Sequence, residues 1–299
     1  MTLRILEAGL YTLVVDFGRP RSRSLGVPVG GAADRFSLAL GNALVGNGPD
    51  APALEINGAG PTLQADCELG CVVLGAPFTL VSDRQSLTLG RTFTLEPGET
   101  VRIAGASAGM RAYFCCHGGF RTPVILGSRS ALQPLRAGAL LSCQPSQVAS
   151  RFLELAWKRD DLPRTLHVVD GLQADWFSEQ DFFAREFTVT PASNRMGLRL
   201  RSDPLVFPNR EMVSEPVCPG TVQVTRDGQC IILGVDGQTI GGYPKIAHVI
   251  QADLDRLGQL RPGAPVRFIP VPHDEARRLF LQREDALQAW WRRLTISLE

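Results

Sequence analysis

The chain has 299 residues, 44% hydrophobic and 20% charged, with 31 Lys plus Arg against 30 Asp plus Glu. That composition supports buried cores and excludes a disordered chain or a fibrous repeat. Charges of both signs are interspersed, so there is no electrostatic footprint for nucleic acid or a membrane surface, and small-molecule or protein partners are expected.

Glu7 and Asp16 interrupt the N-terminal apolar positions, so no secretory leader is expected. The longest uncharged apolar stretch, Leu69 to Val81, contains Gly75 and Pro77 and is shorter than the ~18 residues a membrane span needs. A cytoplasmic location follows as an expectation. The seven dispersed cysteines read as reduced, mostly buried thiols rather than a disulfide framework.

Thirty glycines and 21 prolines cut the chain into apolar and β-branched runs of strand length, which predicts a mainly β fold. Such runs are Leu13 to Asp16, Cys71 to Leu74, Thr100 to Ile103, Ala112 to Cys116, Thr221 to Val224, Cys230 to Val235 and Val266 to Val271. The first helix is placed at about 35 to 45. Asp34 caps it, Phe36, Leu40 and Leu44 share one face, and Gly46-Asn47 stops it. Ser178-Glu179-Gln180-Asp181 has the form of a capping box opening a short helix, and another runs through Leu254 and Leu257. The clearest helix covers about 274 to 295, with Ala276, Leu279, Phe280, Leu287, Trp290, Trp291 and Leu294 at helical spacing. It reads as a tail helix docked on the body or as one that binds a partner.

Leu95 to Ile103 and Leu260 to Phe268 rhyme, each a Pro-Gly turn feeding a strand, and Leu135 to Leu141 is a fainter copy. Two β-domains of related design are expected, residues 1–155 and 156–299, with the boundary in the polar stretch Ser150 to Asp161.

Several motifs fail on context. Gly105-Ala106-Ser107-Ala108-Gly109 matches a nucleophile elbow, but strand-like runs flank it on both sides, so a hairpin turn is the better reading. Neither a Walker A loop nor a strand-linked G-x-G-x-x-G is found, so no autonomous nucleotide binding is expected. Adjacent Cys115 and Cys116 in a strand point to opposite faces and converge poorly on a metal; none is expected. His117 and His248 read first as structural residues, with a site role open for His117.

Only two of the 31 basic residues are lysine. Lys158 lies in the polar stretch between the halves and reads as a solvated charge. Lys245 ends the run Asp236-Gly237-Gln238-Thr239-Ile240-Gly241-Gly242-Tyr243-Pro244-Lys245, dense in polar groups and tight-turn glycines. A compact ammonium suits a carboxylate or carbamate oxygen, although a surface turn with an incidental lysine is the bland alternative. Ser193 to Gly197, with Asn194 and Arg195, and Pro219 to Gln223 share this polar character. Gly30 to Arg35 delivers a helix N-terminus at Asp34, read as a cap or as an anion site.

Ser193-Asn194-Arg195-Met196-Gly197-Leu198-Arg199-Leu200, Pro219 to Gln223 with Asp227-Gly228-Gln229, and Asp236 to Lys245 closely resemble the KipA family, that of the 5-oxoprolinase C subunit, also called allophanate hydrolase subunit 2. Gly9 to Thr12, Asp16 to Arg19, Gly26 to Pro28, Ala53 to Ile56 and Gly127 to Ser130 follow in the family's order, so the resemblance spans about residues 8 to 270. It departs from the family pattern at Val15, Ser24, Gly30, Thr225 and Gly237. The resemblance implies two cyclophilin-like β-barrel subdomains, as in the carboxyltransferase part of biotin-dependent urea carboxylase. It further implies a subunit that joins a KipI-like subunit and a LamB/YcsF-like subunit to open 5-oxoproline to glutamate with ATP. ATP would be used by the complex, with no cofactor bound by this chain alone and biotin not expected. Lys245, Asp236 and Arg195 are the catalytic candidates. Asn194, Gln223, Gln238, Gly241, Gly242, Tyr243 and Asp34 are the substrate-binding ones. Two rival readings are a non-catalytic regulator of a KipI-type kinase inhibitor and a carboxyltransferase-like subunit acting on urea-type substrates.

Overall fold

A computed structural model describes residues 1–154, 165–208 and 210–296. Lys158 and the expected boundary past residue 154 lie outside the described residues. The fold is mainly β, in two compact units, each discontinuous in sequence. One comprises Met1–Gly18, Asp34–Arg159 and Ala286–Glu299, the other Arg19–Ala33 and Asp160–Asp285.

The first unit holds β1 (Thr2–Glu7), β2 (Tyr11–Val15), α1 (Arg35–Leu44), β3 (Ala53–Asn57), β4 (Thr62–Ala65) and β5 (Leu69–Gly75). It continues with β6 (Phe78–Ser82), β7 (Phe93–Leu95), β8 (Thr100–Ala106), β9 (Arg111–Cys116) and β10 (Leu140–Ser142). The strands form two five-stranded sheets, β10-β1-β4-β8-β6 and β2-β3-β9-β5-β7. Leu3, Ile5, Leu63, Val101 and Ile103 of the first pack with Leu54, Ile56, Val73 and Phe114 of the second in one core. Strands β5 and β9 are buried along their whole length, because α1 packs on them as well. Asp34 caps α1 by accepting from the Ser37 backbone N–H, and Gly46 and Asn47 close its end on the carbonyls of Ala43 and Asn42.

The five residues Gly105 to Gly109 do not make a hairpin. Strand β8 pairs with β4 and β6, and β9 with β3 and β5, so the turn passes from one sheet to the other. Sequence shows strand, turn, strand; only pairing distinguishes a hairpin from a crossover between sheets. Cys116 enters the core with Cys67, Cys71 and Cys143, while the Cys115 sulfur faces Gly41 of α1. None of the seven cysteines is disulfide-bonded.

In the second unit β11 (Thr165–Asp170), α2 (Glu179–Phe183), β12 (Phe187–Val189), β13 (Gly197–Arg201), β14 (Glu215–Pro216), β15 (Thr221–Val224) and β16 (Cys230–Leu233) come first. After them come β17 (Ile240–Gly241), β18 (Lys245–Val249), α3 (Leu254–Gln259) and β19 (Pro265–Pro270); α4 (His273–Ile296) begins in this unit, and its residues from Ala286 on are counted with the first. Seven strands close a barrel in the order β11-β18-β15-β16-β13-β12-β19, and β14 and β17 form a separate two-stranded ribbon. Val222, Val224, Ile232, Ile246, Ala247 and Val266 fill the barrel core, where Phe182 stacks on Phe268 at 4.9 Å between centroids. The Ser178 side chain accepts from the Asp181 N–H and starts α2.

The rhyming segments are one structure built three times. Gly98, Gly138 and Gly263 have φ of 82°, 86° and 85°, and the next residue's N–H bonds the carbonyl of Glu96, Arg136 or Arg261. Each glycine N–H also donates to a strand residue, Ala65, Ile5 or Val189, whose own N–H donates to the carbonyl of the residue after the glycine. Along α4 the apolar stripe is half-buried rather than buried. Trp290 lies outside the covered face, 37% exposed with the Arg293 guanidinium over its ring.

Candidate functional site: a buried lysine on the barrel wall

A β-bulge builds the site. Thr221 pairs with His248 and Val222 with Ala247, but Gln223 pairs with Lys245, so Ile246 is the extra residue on β18. Ile246 and Ala247 both enter the barrel core, and Lys245 shifts to the outer face beside Gln223. Thr221, Gln223, Lys245 and His248 thus form a polar row on the outside of the barrel wall, with Thr221 Oγ1 3.1 Å from His248 Nδ1.

That outer row is nevertheless covered. The loop at Gly171 to Gln173 lies on the Lys245 backbone: Gln173 N–H donates to Lys245 O at 3.0 Å, and Lys245 N–H donates to Gln173 Oε1 at 3.0 Å. A Cβ at Gly171 would stand 2.1 Å from Lys245 O, so only glycine permits this approach. The β14–β17 ribbon brings Glu215 and Gly241 opposite each other. A Cβ on Gly241 would meet Gln223 Nε2 at 2.5 Å and Gln238 Nε2 at 3.3 Å.

Lys245 is completely buried and Gln223 is 1% exposed, yet Lys245 Nζ and Gln223 Nε2 have no aligned hydrogen-bond acceptor among the described residues. Lys245 Nζ does stand 2.5 Å from Glu215 Oε2, an ion-pair contact. Of three ammonium donors, at least two remain for a ligand. The Lys245 ammonium in turn holds the Glu215 carboxyl below its usual range. Burial and, less strongly, the same ammonium push the His248 imidazole below its ordinary value. Buried donors are almost always paired in folded proteins, so the unpaired Gln223 amide beside the ion-paired Lys245 ammonium marks a place suited to an acceptor from outside.

The model of the family described as carboxyltransferase domain, subdomain A and B, matches residues 25–270. The chain belongs to this carboxyltransferase family. Within it, the C subunit of 5-oxoprolinase from Escherichia coli K12 is 32% identical over 289 residues, 92% of this chain and 93% of the relative. The urea amidolyase of Lachancea kluyveri is 27% identical over 95% of this chain but 18% of its own length. Among solved structures, TTHA0988 superposes with a TM-score of 0.80 at 33% identity, over 90% of this chain and 55% of that one. The Kluyveromyces lactis urea amidolyase gives 0.85 at 26% identity over 97% and 20%. This chain therefore spans about half of TTHA0988 and a fifth of the amidolyases.

Not every residue singled out in this carboxyltransferase-family sequence reaches the Lys245 cluster. Arg195 is engaged elsewhere: Nε donates to Asp236 Oδ2 at 2.7 Å, and Nη2 to Asp236 Oδ1 at 3.0 Å and Gly31 O at 2.7 Å. This bidentate fork, with Arg23 donating to Val217 O and Gly30 N–H to Val235 O, ties the 19–33 segment to the rest of the second unit. Asn194 Oδ1 accepts from the N–H groups of Met196 and Gly197 in a local turn, so its carbonyl orders the backbone. The Asp34 carboxylate accepts from Ser37 N and Ser37 Oγ, which makes it a cap in the first unit. Gly242 and Tyr243 are exposed beside the ribbon. His117 Nδ1 lies 2.7 Å from Val45 O, a structural contact.

Sequence reasoning missed Gln173 and Glu215. A glycine directly after a strand, followed by glutamine, is a faint signal for Gln173. Nothing local marks Glu215, whose place depends on ribbon pairing with a strand 25 residues away in the chain, Ile240–Gly241.

Proposed function

We propose that this chain is a subunit of an ATP-dependent 5-oxoprolinase, assembled with a KipI-like subunit and a LamB/YcsF-like subunit. The observation that carries the reading is the fully buried Lys245 ammonium, ion-paired with the more exposed Glu215, beside the buried Gln223 Nε2 that has no acceptor among the described residues. The C subunit of the Escherichia coli 5-oxoprolinase, matched nearly end to end, supports the choice of substrate. 5-Oxoproline presents a carboxylate and a lactam carbonyl, both pure acceptors. Lys245 binds the carboxylate or the oxygen that gains charge as the ring amide is attacked, and Gln223 holds the carbonyl. Gln238, whose amide nitrogen lies near Gly241, and Tyr243, exposed beside the ribbon, are further candidates for contact with substrate. Arg195 and Asp236 act by fixing the 19–33 segment rather than by touching substrate. Hydrolysis adds water across the ring C–N bond to give glutamate, with ATP bound and spent by the partner subunits.

Reconstitution tests this. Glutamate formation from 5-oxoproline and ATP requires all three subunits, and Lys245→Met lowers turnover roughly a hundredfold, about 3 kcal/mol, without disturbing assembly. Activity of this chain alone, or a fully active Lys245→Met complex, overturns the assignment. A second reading, a carboxyltransferase-like subunit acting on urea-type substrates, is favoured by the match to urea amidolyase over nearly the whole chain. It requires that urea, a neutral ligand, bind at Lys245.

A further inference from the structure

Two donors of the Lys245 cluster converge on one oxygen. Lys245 Nζ stands 2.5 Å and Gln173 Nε2 3.3 Å from Glu215 Oε2, and the orphaned Gln223 amide lies alongside. The partners differ sharply in accessibility: the lysine side chain is 1% exposed, the glutamate side chain 36%. Glu215 belongs to a two-residue strand whose backbone is held by Gly241, so its side chain can swing outward without any change in pairing. Lys245 has no such freedom, being buried on the barrel wall between the Gly171–Gln173 loop and Gln223.

We propose that Lys245, Gln173 and Gln223 form a carboxylate subsite which the chain's own Glu215 fills when no ligand is bound, and from which an incoming carboxylate displaces it. A buried ammonium is costly without a counter-charge, so the fold keeps one there, and only a ligand that brings a replacement negative charge can take over the position. Exchange of one carboxylate for another preserves the charge balance. Urea, or a lactam lacking a carboxylate, would expel Glu215 and leave the ammonium uncompensated. Glu215 is thus a specificity-determining residue that selects acids over neutral amides. The arrangement also explains why the Gln223 donor is unmet: a single tethered oxygen satisfies part of a subsite built for a larger acceptor. This rests on the reading of the Lys245 cluster as a ligand site, and it names the chemical class that the site takes.

Removing the tethered competitor tests the idea. A side chain held beside its partner competes at an effective concentration of order millimolar or above, so Glu215→Gln and Glu215→Ala should each bind acids about tenfold tighter than wild type. The probes are 5-oxoproline and acetate as acids, with 2-pyrrolidinone and urea as neutral controls. Binding to the full chain is read by calorimetry, with ligand-observed NMR for weak probes and a thermal melt to verify folding. Tighter binding of both acids in both variants, with the neutral probes binding more weakly than the acids in all three proteins, is the expected result. Equal acid affinity in all three proteins, 2-pyrrolidinone bound as tightly as 5-oxoproline, or no acid binding by either variant overturns it. Tighter acetate binding with no 5-oxoproline binding keeps the subsite and removes the 5-oxoprolinase reading. Unchanged 5-oxoproline affinity keeps that reading and removes the displacement by Glu215.

Discussion

Each unit buries charged and polar side chains, but they are matched to different degrees. In the first, the Tyr113 hydroxyl donates to Glu55 Oε2 at 2.9 Å and accepts from Asp34 N–H at 2.8 Å, with Arg111 Nε 3.3 Å from Glu55 Oε1. Asp16, also in the first unit, accepts from Ser128 and Ser130 hydroxyls, each at 2.6 Å, and from the N–H groups of Gly18 and Arg129. Most of these groups are hydrogen-bonded within the chain, although Arg111 Nε has an ion-pair contact rather than an aligned hydrogen bond, and they hold a helix start and the loop through Gly127 in place. In the second unit, Lys245 and Gln223 are as deeply buried; the lysine has an ion-pair contact with the partly exposed Glu215, and Gln223 Nε2 has no acceptor among the described residues. A satisfied buried network is architecture; an unsatisfied one is set up to receive a ligand.

The largest effect should come from damaging the satisfied side. Glu55→Gln keeps an acceptor for Tyr113 but removes the carboxylate charge beside the buried Arg111 guanidinium, and should cost about 3 kcal/mol of stability in urea unfolding. A cost below about 1 kcal/mol would show that this network is not what holds β3 and β9 against α1.

Next comes Gly241→Ala. A methyl group there meets Gln223 Nε2 at 2.5 Å, so the amide must turn away. The loss of one hydrogen bond to ligand should weaken 5-oxoproline binding about tenfold while unfolding stability changes little. Unaltered binding would remove Gln223 from the subsite.

Acid titration gives the smallest effect and separates the units by sign and position. Burial opposes the Asp16 charge, but its four hydrogen bonds outweigh it and lower the pKa from 3.8, so its stabilisation is present above that value and is lost as pH falls through the folded pKa. His248 is likewise lowered, from 6.5, by burial first; the unfolded chain then binds the extra proton, so stability falls as pH drops below about 6.5. The second unit should therefore begin to weaken near neutral pH and the first only near pH 4. His248→Gln should flatten the upper limb of an unfolding-versus-pH curve, and an unchanged curve would show that His248 titrates normally.

What the sequence determined by itself was whatever rests on bonds between near neighbours. The Asp34 cap, the Gly46-Asn47 stop and the Ser178 cap involve residues within five positions of one another, as do the three glycine turns of the rhyming segments. They were legible because turn and cap chemistry is local. Lys245 stood out as well, since one of only two lysines ends a run of polar residues and glycines. What it would meet was not legible. The tertiary structure alone decided that a bulge at Ile246 turns Lys245 onto the face of Gln223, and that Glu215 and Gln173 close over it. It also decided that Arg195 spends its guanidinium on Asp236 and Gly31, and that β8 and β9 belong to different sheets. Register and sheet order are set by the packing of many side chains far apart in the chain, each worth little by itself, so no short stretch of sequence carries them.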